Sequence, residues 1–205
     1  LASGTIKNII FDLGGVLVNI DPDKTANAFA ALGNKAPVDI INLHNSQNFF
    51  RDYEKGLIND QTFRKNICKF LDTHIPAEII DKAWGALLLD IPPNKIRLID
   101  NARKKYRTFL LSNTNNIHRI KFEKDFRDVT GKEIREYFEN IHYSYEMHAR
   151  KPDEEIFLKV LEENQLIAEE TLLIDDSLPN IETAKSLGMQ TFHVERNQEV
   201  IEIEG

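Results

Sequence analysis

The chain has 205 residues, one cysteine, 26 basic against 33 acidic side chains, a formal net charge of -7 and 41% hydrophobic residues. That length accommodates one large domain or a compact domain carrying a smaller one, and either can bury a core. One cysteine cannot make an internal disulfide, no secretory leader pattern opens the chain, and no apolar run reaches the about 18 residues of a membrane span, so a cytoplasmic protein is expected. The absence of a Lys/Arg block argues against nucleic-acid and membrane partners. A phosphate-bearing small molecule remains compatible, because net charge does not describe the field inside one cleft. No obligate protein partner is indicated, and residues 1–4 are assigned no role.

Ile6 to Phe11 is an Ile-rich run ending at Asp12 and a Gly14-Gly15 pair, which predicts a buried strand and a tight turn. The following stretch, residues 19–90, is several times longer than the about 15 to 20 residues of a crossover helix. Its pattern is helical throughout, over 24–32, 38–53, 59–71 and 76–89, with Asn59-Asp60 placed to cap the helix that carries Phe63, Ile67 and Phe70. A helical bundle inserted after the first strand is therefore expected. Pro93 opens a helix with Ile96, Ile99 and Ala102 on one face, and Arg107 to Leu111 is a strand stopping at Ser112-Asn113. Ile117 to Tyr137 reads as two helices and Glu139 to Tyr143 as a weaker strand. Pro152 and its acids lead into a helix with Ile156, Phe157, Val160 and Leu161. Leu172 to Ile174 is a strand stopping at Asp175-Asp176, Leu178 to Leu187 a helix stopped by Gly188, and Thr191 to Val194 a last strand. Alternating strands and helices imply an α/β fold: a Rossmann-like parallel sheet with helices on both faces, spanning 1–18 and 91–205, with the helical insertion at 19–90.

Asp12, Ser112-Asn113, Lys151 and Asp175-Asp176 stand at carboxyl ends of predicted strands or at a helix entry. In an open parallel sheet that edge binds ligands. A carboxylate can attack phosphorus, a lysine and a hydroxyl can hold the transferring oxygens, and further carboxylates can hold Mg2+ to screen the dianion. The six histidines, His44, His74, His118, His142, His148 and His193, show no paired ligand spacing, so histidine metal ligation is not expected. Near Lys151, His148 reads as a surface or packing histidine, with a role as an acid its alternative, and Arg150 as a surface charge or an auxiliary anion contact. Cys68, Trp84 and Phe49-Phe50 read as packing of the helical insertion, with an aromatic available as a sugar platform.

The segments FDLGGVLVNID, LLSNTN, RKPDEEIF and LLIDDSLPNIETAKSLGM, in this order and with a cap-length insertion after the first, resemble the four motifs of the haloacid dehalogenase-like hydrolase superfamily. The likeness is to its helical-cap (C1) phosphatases. It implies Asp12 as the nucleophile that forms an aspartyl-phosphate, Ser112 and Asn113 as donors to the phosphoryl group, and Lys151 as the cation steadying both. It also implies Asp12, the Gly14 carbonyl, Asp176 and Asp175 around Mg2+, with Asn180 in at most a supporting role. Gly14 departs from the commonest pattern, in which a second aspartate two residues beyond the nucleophile acts as general acid and base. Losing such a group costs about 10² to 10⁴ in rate and is best tolerated with a good leaving group.

The glycine and the segment Tyr53-Glu54-Lys55-Gly56-x-Ile58 are similar to the bacterial alpha-D-glucose-1-phosphate phosphatase subgroup, which implies a sugar phosphate such as glucose 1-phosphate and suggests Glu54 as a cap residue facing the substrate. The expected function is thus a Mg2+-dependent phosphomonoester hydrolase acting on a small phosphorylated metabolite. A catalytically weak phosphate-binding or regulatory protein and a metal-independent dehalogenase are the alternatives, and a receiver domain of the response-regulator kind fits the insertion and the late acid pair least.

Overall fold

A computed structural model describes residues 5–46 and 48–195, with the side chains of 43–48 left undescribed. Residues 1–4 and the His44 side chain therefore lie outside the described residues. Five strands form one parallel sheet in the order β3-β2-β1-β4-β5: β1 Asn8–Phe11, β2 Arg107–Ser112, β3 Asn140–Tyr143, β4 Thr171–Asp175 and β5 Gln190–His193. The central strands read as unbroken apolar runs because helices cover both faces. Ile9, Phe11, Leu110 and Ile174 enter one core, while Ile10, Phe109, Leu111 and Leu173 enter the other, so successive residues alternate between two buried layers.

Residues 19–90 contribute α1 Pro22–Ala30, α2 Pro37–Ser46, α3 Asn48–Glu54, α4 Asp60–Leu71 and α5 Ala77–Trp84, the last followed by a 3-10 turn. Phe29, Phe50, Phe63, Ile67, Ile80 and Trp84 fill a third core among them, which Ile117 also joins. Asn59 caps α4 as its sequence requires, accepting from the Thr62 N–H at 2.9 Å. The helix expected over 38–53 is represented by α2 and α3 on either side of residue 47, which lies outside the described residues. The helix expected to reach residue 89 stops at Trp84, because Leu88 bridges Ile20 and the Leu89 N–H donates to the Asn19 carbonyl, so the insertion enters and leaves through a paired neck.

The sheet is covered by α6 Pro93–Ala102, α7 Asn116–Thr130, α8 Ser144–Met147, α9 Glu154–Glu163 and α10 Leu178–Ser186. Of the two helices expected over 117–137, the second is a single 3-10 turn, after Gly131 ends α7 at φ +70°. The one-turn α8 was not expected from the sequence. No helix among the described residues is long and apolar enough to cross a membrane.

Candidate active site

Asp12 follows β1, and its N–H donates to the Ile174 carbonyl at 2.9 Å. That bond carries the β1–β4 register one residue further and sets Asp12 beside Asp175. Lys151, in the loop before α9, is 1% exposed. Its ammonium lies 2.9 Å from Asp12 Oδ1 and 2.6 Å from Asp175 Oδ2. A charge so deeply buried is tolerable only when paired and hydrogen-bonded. The pairing is anchored on every side. The Leu13 N–H donates to Asp12 Oδ1 at 2.7 Å, and the Ser177 N–H and Asn180 Nδ2 each donate to Asp175 Oδ1 at 2.9 Å. Asn113 grips the backbone of Lys151 in both directions, its Oδ1 accepting from the Lys151 N–H at 2.9 Å and its Nδ2 donating to the Lys151 carbonyl at 2.8 Å. Ser112, the last residue of β2, is buried beside it.

Burial pushes the Asp12 carboxyl up to about 7; Lys151 pulls it down, and Asp175 and Asp176 add to the rise. Burial alone would lower the Lys151 ammonium, but Asp12 and Asp175 more than offset it and hold it above its usual range. Burial raises Asp176 as well, followed by the charge of Asp175. Each of the three aspartates offers an oxygen within 4.8 Å of the others, the one such carboxylate cluster among the described residues. Three carboxylates against one ammonium leave an excess of negative charge in a poorly solvated place, and hard oxygen donors are what Mg2+ takes. The donor set therefore fits that ion.

Gly15 and Lys95 also bear on the site, and neither was singled out in the sequence. Gly15 has φ +74°, and a Cβ there would stand 2.2 Å from Asp176 Oδ2, so only glycine lets Asp176 approach. The Gly14-Gly15 pair was its visible signal. Lys95 of α6 donates to Asn19 Oδ1 at 3.1 Å and reaches the Gly15 carbonyl at 3.5 Å, tying the neck to the loop after Asp12. No motif marks it. Glu54 closes α3, with Oε2 3.0 Å from Arg150 Nε as an ion pair outside hydrogen-bond alignment. Beside it Lys55 pairs with Asp153 at 2.7 Å, and His148 Nδ1 donates to the Lys55 carbonyl at 3.0 Å.

A cavity of about 460 Å³ lies between the helical insertion and the sheet edge, lined by Gly14, Ser112, Asn113 and Glu54 together with Ile20, Ile40, Phe50, Trp84 and Leu88. Phe49 packs on Phe50, and Cys68 Sγ faces the Ile75 carbonyl. A wider depression of about 1000 Å³ lies at the other end of the strands and contains none of these groups.

A family model described as haloacid dehalogenase-like hydrolase matches residues 6–188. The chain is 33% identical over 190 residues to the D-ribitol-5-phosphate phosphatase of Bacteroides thetaiotaomicron, covering 93% of this chain and 92% of that protein. Among solved structures, a HAD family enzyme of the same organism aligns with a TM-score of 0.91 at 36% identity, covering 96% of this chain and 97% of that one. That enzyme has also been crystallised with magnesium and inorganic phosphate. A HAD-like family hydrolase from Porphyromonas gingivalis aligns with a TM-score of 0.87 at 31% identity, covering 96% and 94% of the two chains.

Proposed function

The chain belongs to the haloacid dehalogenase-like hydrolase family, and from that membership and its site we propose a Mg2+-dependent phosphatase that hydrolyses a small phosphorylated metabolite through an aspartyl-phosphate on Asp12. The observation that carries this reading is the buried Lys151 ammonium held between Asp12 and Asp175, with Asp176 close enough to share an ion with both. Asp12, Asp176 and the Gly14 carbonyl would hold the metal. Asp175 stands within reach of the same ion, but three donors already occupy it, so its main task is to hold Lys151. When bound, Mg2+ supplies charge neutralisation that lets two anions meet.

The chain's own residues do the rest. The Asp12 carboxylate attacks phosphorus, and the bond from phosphorus to the leaving oxygen breaks. That oxygen takes its proton from solvent, because Gly14 has no side chain to supply one. Water then attacks the phosphorus, releasing phosphate and restoring the carboxylate. Ser112 donates to a phosphoryl oxygen, Lys151 balances charge on Asp12 and the phosphate, and Asn113 keeps Lys151 in place. Residues 19–90 act as a cap over the site that admits the leaving group. Sugar and polyol phosphates are the proposed substrates, with glucose 1-phosphate suggested by the sequence and ribitol 5-phosphate by the relative. A cytoplasmic setting suits them.

Purified protein should release phosphate from a sugar and polyol phosphate panel with Mg2+ and stop when EDTA is added. Asp12→Asn should reduce release to background; turnover persisting in that variant sinks the mechanism. Gly14 favours one second reading, a phosphate-binding protein with little turnover, which tight binding of phosphate analogues without release from any panel member would support.

A further inference from the structure

Resting on the Mg2+-dependent hydrolase reading above, we infer that His193 is a positioning residue for Asp176, so that the affinity of the site for Mg2+ depends on a side chain of the last strand. His193 lies beyond residues 6–188, the stretch that the family model matches, and as a lone histidine it carries no signal in the sequence. The fold brings it to the acid pair. β5 runs parallel to β4 in a register that sets His193 opposite Asp175.

Asp176 stands where β4 has ended and α10 has not begun. At such a junction the peptide groups on either side are held by individual bonds instead of a strand or helix ladder. The carbonyl of the preceding peptide, that of Asp175, accepts from the Val194 N–H at 3.0 Å. The following peptide is held at both ends. Its N–H, that of Ser177, donates to Asp175 Oδ1 at 2.9 Å, and its carbonyl, that of Asp176, accepts from His193 Nε2 at 3.1 Å. A carbonyl oxygen only accepts, so Nε2 is the ring nitrogen that carries the hydrogen. Residues 193 and 194 thus grip both peptides that flank Asp176, and fixing those two planes fixes the direction in which its Cα–Cβ bond leaves the backbone. The carboxylate so aimed has little latitude, since even a Cβ on Gly15 would stand 2.2 Å from Asp176 Oδ2. Of the three bonds, the one from His193 is contributed by a side chain outside the acid cluster. A donor that orients a ligand without touching the ion typically changes metal affinity by about 10- to 100-fold.

The test titrates Mg2+ alone into metal-free protein by calorimetry and, separately, measures phosphate release against Mg2+ concentration, in wild type, His193→Gln, His193→Leu and His193→Val. Glutamine offers an amide donor on a chain of similar reach, whereas leucine and valine have no donor. The Mg2+ dissociation constant should rise about tenfold or more in His193→Leu and His193→Val, and stay within about threefold of wild type in His193→Gln. The Mg2+ concentration for half-maximal release should rise in the same proportion, and excess Mg2+ should recover the lost rate. A dissociation constant describes the folded fraction alone, and His193→Val, which suits a strand, serves if His193→Leu does not fold. Either aliphatic variant binding Mg2+ within about threefold of wild type overturns the inference, as does a His193→Gln protein that binds as weakly as His193→Leu. Wild-type protein that neither binds Mg2+ nor releases phosphate from the substrate panel sinks the hydrolase reading instead.

Discussion

Asp175 and Asp176 are neighbours of one residue type, yet the fold gives them different surroundings. Asp175 is fully buried and accepts from Lys151, Ser177 and Asn180, while Asp176 stands over Gly15 with its carboxylate less enclosed. The sequence displayed the acid pair at a strand end and the lysine at a helix entry. It could not divide their roles, because burial and the partner of each oxygen come from segments far apart in the chain. Asn113 is a similar case, since its amide faces the Lys151 backbone, 38 residues away. Gly14 offers a direct test at this scale. A Cβ there meets Ile20 Cδ1 at 3.4 Å, an ordinary contact, and the backbone is not left-handed, so Gly14→Asp should be accommodated. Gly14→Asp should restore a general acid and raise turnover of substrates with poor leaving groups by about tenfold or more, with less effect on p-nitrophenyl phosphate. Equal rates for wild type and variant across both substrate kinds would show that proton supply does not limit this site.

At the scale of elements, the strands and most helices were legible because their signals are local: continuous apolar runs, a proline at a helix start, Asn59 before a capped helix. The failures have non-local causes. The helix expected to reach residue 89 is cut short by pairing of residues 88–90 with 19–20. The single turn of α8 is braced by Ser144 Oγ, which accepts from the Thr114 N–H at 2.9 Å and donates to the Thr114 carbonyl at 3.1 Å. The end of α3 meets the segment after β3 through Gly56, whose φ is +66° and whose Cβ, if present, would lie 2.1 Å from the Tyr145 carbonyl oxygen. Gly56→Ala should thus force the two segments apart, lowering stability by more than about 1 kcal/mol in denaturant titration. It should also disturb the neighbouring Glu54–Arg150 and Lys55–Asp153 contacts. An unchanged denaturation midpoint would mean that the contact between α3 and the segment after β3 yields freely.

For the whole molecule, the decisive contact is the joint between the helical insertion and the sheet. Trp84 stacks on His118 with ring centroids 4.7 Å apart and donates to Asn115 Oδ1 at 3.3 Å, while Asn116 donates to Asp60 at 2.8 Å. Burial lowers the His118 imidazole to about 4 from an ordinary 6.5, against the raising effect of its bond to the Trp84 carbonyl. The unfolded chain therefore binds the extra proton first. Stability from this group is intact above about pH 6.5 and is lost as pH falls toward 4, by about 3 kcal/mol in all. His118→Gln should flatten that part of the pH dependence when unfolding free energies are compared at pH 7 and pH 4.5, the active-site carboxylates being common to both proteins. Parallel curves would show that His118 is not buried neutral in the joint.

The sequence by itself determined the α/β class and the run of helices between the first two strands, and displayed Asp12, Ser112, Lys151, Asp175 and Asp176 as candidates, since periodicity, length and residue type are properties of short stretches. Only the tertiary structure decided which carboxylate holds Lys151, why Gly15 must be a glycine, and that Glu54 faces a largely apolar cavity. Those depend on burial and on distances between segments that meet only when the sheet and its insertion are folded together.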